Sequence, residues 1–408
     1  MRDDRRYNLR WMSGMLMLLL LLTGCSKSSD SDESGTNVKP VLKIYVFPPD
    51  RPIVTRADNG EVAASDAENK INNLHVWVFK RDDGTLVGHI SLNNVEFKDN
   101  VSNEVSMELS DAFADASPKP RVDVYVAANV ANTTCGISLS ATTTRTELEA
   151  ALIGQNYFGV SNLVKTVPSE GLPMSGVMKN KKISGTSPVF RVSEEDDGLA
   201  NVRLIRAVSK VRFVFSKSKE NVEDELSVNK ITLGKIGETP ETTEKVLPTT
   251  EYLFLTNDYD LTYTEKWRVG SEYENPTDLV ADVTTINQSV SPSSYSWDGE
   301  MSGQDYETLI QNGIDRGELS DLGTFYLRES DRKLKGTINY TIRHKNNNSE
   351  ITESTKSPGF TMKNDGDFSR NHTWIVYAYF VTSGDLKLNI VEVKDWNEQD
   401  ETGWLYNW

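Results

Sequence analysis

Short runs in which β-branched and aromatic residues alternate with polar ones, each closed by Gly, Asn, Asp or Pro, recur along most of this chain. A period of two puts successive side chains on opposite faces of a strand, so such runs fold as half-buried strands rather than helices. VLKIYVF (41–47), LHVWVFK (74–80), VDVYVAANV (122–130), VRLIRAVSKVRFVFS (202–216), KGTINYTIRH (335–344) and TWIVYAYFV (373–381) are the clearest, and they predict a mainly β fold. Asp83-Gly84 stands between LHVWVFK and TLVGHISL, a dipeptide suited to the positive φ angles of a tight hairpin. Two helices are expected to interrupt the strands. One follows the capping box Thr144-Arg145-Thr146-Glu147 and runs through Leu148, Leu152 and Ile153; the other carries Tyr306, Leu309, Ile310 and Ile314 at helical spacing.

Chain length predicts two domains, because single cores usually stop growing beyond about 250–300 residues. The acidic stretch Ser193-Glu194-Glu195-Asp196-Asp197-Gly198 separates two apolar strands. Read as a solvated linker, it divides 41–197 from 198–408; read as a long hairpin turn, it does not.

The N-terminus reads as an export signal. Arg2, Arg5, Arg6 and Arg10 flank the apolar run Met15–Leu22, which is too short for a hydrocarbon core needing about 20 residues. Leu22-Thr23-Gly24-Cys25 follows at once and matches a lipobox, so residues 1–25 are expected to be a lipoprotein signal with the lipid on Cys25. Two or three acyl chains anchor stably, at about 0.8 kcal/mol per buried methylene. Ser26 rather than Asp at the next position favours the outer membrane under bacterial sorting rules. Residues 26–40 are polar and acidic with no apolar period, and read as a flexible tether or a surface-export signal.

A net charge of −16 removes nucleic acid from the partners considered, since the phosphate backbone repels such a surface. Cys135 is the only cysteine besides Cys25 and reads as a small buried residue, so no disulfide is expected within the lipidated chain. HExxH, GxSxG, GxGxxG, Walker A and CxxC motifs are missing, so no catalytic residue and no cofactor are assigned. His75, His89, His344 and His372 lack metal-ligand spacing and read as structural; no metal site is expected. Asp258 with Asp260, and Asp365 with Asp367, resemble fragments of calcium loops but lack the closing Glu. Trp297, Trp404 and Trp408 are candidates for stacking on sugars or for core packing.

Several segments together resemble the fimbrillin family of Bacteroidales, the lipoprotein precursors of type V pili. They are the lipobox at Cys25, the Arg56-Ala57 step after the first strand, LHVWVFKRDDGTLV, VDVYVAANVA, Leu172-Pro173-Met174-Ser175-Gly176, RLIRAVSKVRFVF at 203–215, and NHTWIVYAYF followed by DLKLNIVEVKDW. The resemblance spans nearly the whole chain. It implies two β-sandwich domains of transthyretin-like or Greek-key type with a few short helices, and a subunit delivered to the outer membrane, trimmed by an arginine-specific protease and polymerised. The partners it implies are other fimbrial subunits, that protease, the outer membrane through the lipid, and a host or bacterial surface ligand for adhesion.

Under this resemblance, cutting at Arg56-Ala57 removes lipid, tether and the strand bearing Leu42, Ile44 and Val46, and leaves a groove for another subunit's strand. Arg51 precedes Pro52, whose ring blocks the extended fit a trypsin-like protease needs; Ala57 offers no such obstacle. The donor is placed at 385–396. Leu386, Leu388 and Ile390 alternate with polar residues, Val391 and Val393 continue after a phase shift expected to be a bulge, and Trp396 follows as an anchor. The alternative is that this segment is simply the last strand of its own sheet. A lipoprotein that binds glycan or a host ligand without polymerising, a fimbrial tip adhesin included, is the other functional reading. A hydrolase with carboxylates far apart in sequence is a third, with no motif to favour it.

Cys25→Ser is expected to abolish lipid attachment. Metabolic labelling with a fatty-acid probe tests this, and equal labelling of the variant and the natural chain overturns it.

Overall fold

The computed structural model describes residues 39–49, 66–98, 101–153, 163–164, 167–218, 225–233, 252–254, 277–280, 284–286 and 289–290. It further describes 303–327, 335–345, 349–361, 370–371, 373–380 and 386–393.

The strands of the N-terminal half are β1 (Val41–Phe47), β2 (Asn73–Lys80), β3 (Leu86–Asn93), β4 (Asn103–Glu108), β5 (Val122–Ala128), β6 (Leu163–Val164), β7 (Met174–Thr186), β8 (Val189–Ser193), β9 (Asn201–Arg203) and β10 (Ile205–Arg206). Next come β11 (Ser209–Ser218), β12 (Glu225–Leu233), β13 (Thr277–Val280), β14 (Thr284–Ile286), β15 (Ser289–Val290) and β16 (Ser320–Leu327). The last are β17 (Lys335–Lys345), β18 (Ile351–Lys356), β19 (Gly359–Thr361), β20 (Thr373–Phe380) and β21 (Leu386–Val393). The helices are α1 (Asp66–Asn69), α2 (Asp111–Ala114), α3 (Asn132–Cys135), α4 (Arg145–Glu149) and α5 (Gly303–Asp315). The fold is mainly β, as the alternation predicts.

Three sheets carry these strands. The first runs β3-β2-β5-β7-β8-β1-β4, with β10 added on β7 and β9 on β1. The second runs β21-β20-β11-β16-β6 with β15 on β11, and the third β13-β12-β17-β18 with β14 on β12 and β19 on β17. Strand period fixes which core each residue joins. In β5, Val122, Val124, Val126 and Ala128 join the core holding Leu42, Ile44 and Val46, while Tyr125 and Ala127 join a second core with Trp77, Phe79, Leu148, Val208, Leu253 and Tyr326. Val211, Phe213, Phe215, Trp374, Val376 and Phe380 pack against Leu226, Val228, Ile338 and Tyr340, which joins the second sheet to the third.

The two ends of the first sheet meet. Gly88 on β3 lies so close to Met107 on β4 that a Cβ at position 88 would stand 2.4 Å from the methionine sulfur. Any larger residue at position 88 would have to push the Met107 side chain aside.

Three expectations need correction. The run 202–216 is not one strand: β9 and β10 belong to the first sheet and β11 to the second. At the crossing, Ala207 N–H donates to Pro173 O, and Val208 O accepts from Asn371 N–H. The helix after Thr144 stops at Glu149, although its capping box forms as expected. Leu253 N–H donates to Ala151 O and Leu152 bridges to Tyr252, so strand-like pairing takes the backbone groups a longer helix would need. The acidic stretch is a closed turn, with Glu194 N–H bonded to Gly198 O and Asp197 N–H to Glu194 O. The hairpin reading therefore describes it, and sheet membership changes later, between Arg206 and Ser209.

Other expectations hold. The β2–β3 hairpin turns at Gly84 with φ +68°, α5 covers the predicted residues Tyr306–Ile314, and Cys135 is buried.

Ile44 is fully buried, so Ile44→Ala should cost about 2–5 kcal/mol through lost transfer energy and a residual cavity. Lys43 on the opposite face makes a partly exposed pair with Glu104, and Lys43→Ala should cost far less than Ile44→Ala, because solvent screens the pair. Urea denaturation of the full chain measures both; equal losses would mean that β1 does not seat its inner face in the core.

Candidate functional site

The site is the seat of β1. Alternating residues of VLKIYVF give an inner face of Leu42, Ile44 and Val46, all fully buried, and a half-exposed outer face of Val41, Lys43, Tyr45 and Phe47. β1 bonds on both sides. It runs antiparallel to β4, from Val41 opposite Glu108 to Val46 opposite Asn103. On its other edge it runs parallel to β8 over Val41–Lys43 and to β9 over Tyr45–Phe47. Val41 N–H donates to Pro188 O, Leu109 N–H to Pro40 O and Leu204 N–H to Phe47 O. Among the described residues, β1 is thus the link in that ladder between β4 and the strands β8 and β9.

The outer face carries ion pairs. Lys43 Nζ lies 2.9 Å from Glu104, and Tyr45 Oη donates to the same carboxylate at 3.2 Å. The hydrogen bond from Lys43 holds Glu104 below the ordinary carboxylate range and raises Lys43 in turn.

A buried polar clamp gathers around α1, the next described element after β1. Glu68 on α1 accepts from Tyr326 Oη at 2.5 Å and pairs with Lys210 Nζ at 3.1 Å. Arg206, fully buried, donates to Glu68 O at 3.4 Å, to Asn371 Oδ1 at 3.0 Å and to Asn69 Oδ1. Asn129 extends the clamp: its amide donates to Lys70 O at 2.7 Å and Leu172 O at 2.8 Å, and its carbonyl accepts from Asn72 N–H at 2.8 Å. Phe47 bonds Leu204 while Glu68 bonds Arg206, so both ends of the 50–65 segment are fastened at one corner of the first sheet.

Of the residues singled out from sequence, Leu42, Ile44 and Val46 come together in one core. Leu386, Leu388, Ile390, Val391 and Val393 lie on β21, paired antiparallel with β20 from Phe380–Leu386 to Thr373–Val393. That register is unbroken, which corrects the expected bulge between Ile390 and Val391. With no extra residue inserted, Val391 and Val393 share the parity of Lys387 and Asn389, and α5 lies against β21. β21 is an edge strand of its own chain's sheet. Cys25, Arg56, Ala57 and Trp396 lie outside the described residues, as do His372, Asp258, Asp260, Asp365, Asp367, Trp297, Trp404 and Trp408.

Sequence reasoning missed two arrangements. One is the clamp at Arg206, whose members span positions 68–371 with no common motif. The other is a stack on the first hairpin, where Trp77 lies 5.5 Å from His75 and 4.9 Å from His89 between ring centroids. The hairpin register supplies the signal for it: with the turn at Gly84, Trp77 falls opposite His89 and His75 opposite Ser91. Among the described residues no group of three or more His, Cys, Asp or Glu is placed to hold a metal ion, and no helix is long and apolar enough to cross a membrane.

Residues 42–233, which include the whole first sheet apart from Val41, match the family model described as major fimbrial subunit protein (FimA). No curated protein matches the chain. Similar solved structures include a candidate cell adhesion protein from Parabacteroides distasonis, at 15% identity and TM-score 0.49, covering 89% of this chain and 98% of that one. Another from Bacteroides eggerthii has 14% identity and TM-score 0.46, covering 87% and 95%. The tip fimbrial protein Mfa3 of Porphyromonas gingivalis, with a C-terminal truncation, has 13% identity and TM-score 0.37, covering 88% and 100%.

The titratable groups on this sheet give stability a directional pH dependence. Burial, then the neighbouring His75, pushes His89 down to about 4 from an ordinary 6.5, and burial lowers His75 as well. The unfolded chain therefore takes up these protons first, and stability falls as pH drops from about 6.5 towards 4. Glu104, held below its ordinary 4.5, adds a separate loss at lower pH. Replacing both histidines by Gln should flatten the first phase and keep the second. Urea midpoints from pH 7 to 3 test this, and parallel profiles between pH 7 and 5 would remove the histidines from the account.

Proposed function

We propose that this chain, which over residues 42–233 belongs to the FimA family of major fimbrial subunit proteins, is the precursor of a fimbrial subunit that polymerises by exchanging its first strand. Its role as a family member is structural and fimbrial, at the cell surface. The proposed steps are lipidation at Cys25, residence in the outer membrane, cleavage by an arginine-specific protease after Arg56, loss of β1, and entry of a neighbouring subunit's strand into the vacated seat. In this reading the first sheet holds the acceptor seat.

The observation that carries this reading is the paradoxical position of β1. It is buried like an internal strand, yet covalently it is only an N-terminal appendage. Burying Leu42, Ile44 and Val46 is worth roughly 5–9 kcal/mol at about 1.5–3 kcal/mol per side chain. A domain commonly holds only about 5–15 kcal/mol in total. Losing β1 therefore leaves a subunit close to unfolding, with the unpaired edges of β4, β8 and β9 able to template another strand. Because Phe47 and Glu68 are fastened at the same corner, a cut after Arg56 frees β1 without loosening the clamp that starts the remaining chain.

The donor proposed is the strand 385–396. As an edge strand, β21 leaves by breaking a single ladder, the one with β20. Its place on β20 in the monomer also suits the second reading, a lipoprotein that keeps both strands and binds a glycan or host ligand.

The two readings part at the N-terminus of protein sheared from cells. A polymerised subunit starts at Ala57, and Arg56→Ala keeps residues 41–56 and stays monomeric. Deleting 385–408 should likewise leave a lipidated monomer. Mature protein that retains β1, or a truncated chain that still forms fibres, sinks the strand-exchange account.

A further inference from the structure

The His75–His89 pair has chemistry that the fimbrial role does not use. The two residues lie diagonally across the β2–β3 ladder. Nδ1 of His75 and Nε2 of His89 are 3.4 Å apart and share one N–H, donated by either ring according to tautomer. The ring planes are 11° apart and both side chains are half-buried, so solvent reaches one side of the pair.

We propose that His75 Nδ1 and His89 Nε2 form a binding site for one transition-metal dication of borderline softness, copper(II) or zinc(II), with water completing its shell. The distance is the first support. Two imidazole nitrogens at about 2.0–2.1 Å from an ion, subtending a near-tetrahedral angle, stand roughly 3.3–3.4 Å apart. An ion there takes the position of the bridging N–H proton, which moves to an outward ring nitrogen by tautomerisation.

The tautomer is the second support, since a neutral imidazole is the form that binds metals. Each ring then carries its N–H on the outward nitrogen and offers the inward lone pair to the ion, with no net proton released. The third support is rigidity. Trp77 is fully buried, stacks on both imidazoles and donates Nε1–H to Ser140 O at 2.9 Å. Ligands on paired strands, fixed by such packing, keep their geometry before the ion arrives. Imidazole donors without thiolate suit copper, zinc and nickel, and copper(II) binds most tightly in that series.

Copper(II) titration of the full chain in detergent tests the site, read by tryptophan quenching and by paramagnetic resonance. Saturation at one ion per chain is expected, with superhyperfine splitting from two imidazole nitrogens. His75→Gln and His89→Gln should each weaken binding by about tenfold or more, since one imidazole remains. His344→Gln should change nothing. Zinc(II) should compete for the same site only in large excess over copper(II). The variants' thermal midpoints without metal, near the natural value at pH 7.5, separate ligand loss from misfolding. A natural chain whose copper spectrum lacks two nitrogens, or binding unchanged in the double His75→Gln/His89→Gln variant, overturns the proposal.

Discussion

The interaction on which the first sheet depends is the insertion of Leu42, Ile44 and Val46 between two ladders. These side chains meet Val76, Val124, Val126, Val105, Met107 and Val202 in one core. Among the described residues, β4 is joined to the rest of its ladder through β1. The close approach of Gly88 and Met107 brings β3 over β4, so the sheet closes on the strand nearest the N-terminus. A strand that comes early in sequence but sits between β4 and the strands β8 and β9 makes long-range contacts obligatory.

The second constraint is polar. Glu68, Arg206, Lys210 and Tyr326 bring two cations, an anion and a phenol into a nearly water-free seam. Burying any of these charges alone would be costly; together, and with backbone carbonyls and the amides of Asn69 and Asn371 as partners, they satisfy one another. Asp123 follows the same rule on the other side of β5. Fully buried, it accepts from Arg81, Arg145 and the backbone N–H of Asn180. Apolar burial supplies the stability of the sheets, while these directional contacts fix where their ends and connections sit.

Strand positions were legible wherever one face met a core. Alternation located β1 at Val41–Phe47, and the hydrophobic runs located β5 and β20 to within a residue or two, because a single period dictates both secondary structure and burial. It failed at 202–216, where β9, β10 and β11 share one apolar composition yet serve two sheets. No local property marks the crossing at Ala207–Val208, which is set by partners at Pro173 and Asn371. The helix after Thr144 was legible at its start, since a capping box is a local hydrogen-bond device. Its end was not, because pairing with 252–253 decides it.

What the sequence determined by itself is therefore what depends on neighbours within a few residues: the mainly β class, the faces of each strand, the hairpin at Gly84, the helix cap at Thr144, and an inner row of Leu42, Ile44 and Val46. What only the tertiary structure decided is which distant groups share a place. It put β1 between β4 and the β8–β9 pair, β21 on β20, Glu68 beside Tyr326, and the ring nitrogens of His75 and His89 3.4 Å apart. Strand order and long-range polar contacts arise from closing loops of many residues, and the free energy of that closure belongs to the whole chain rather than to any local pattern.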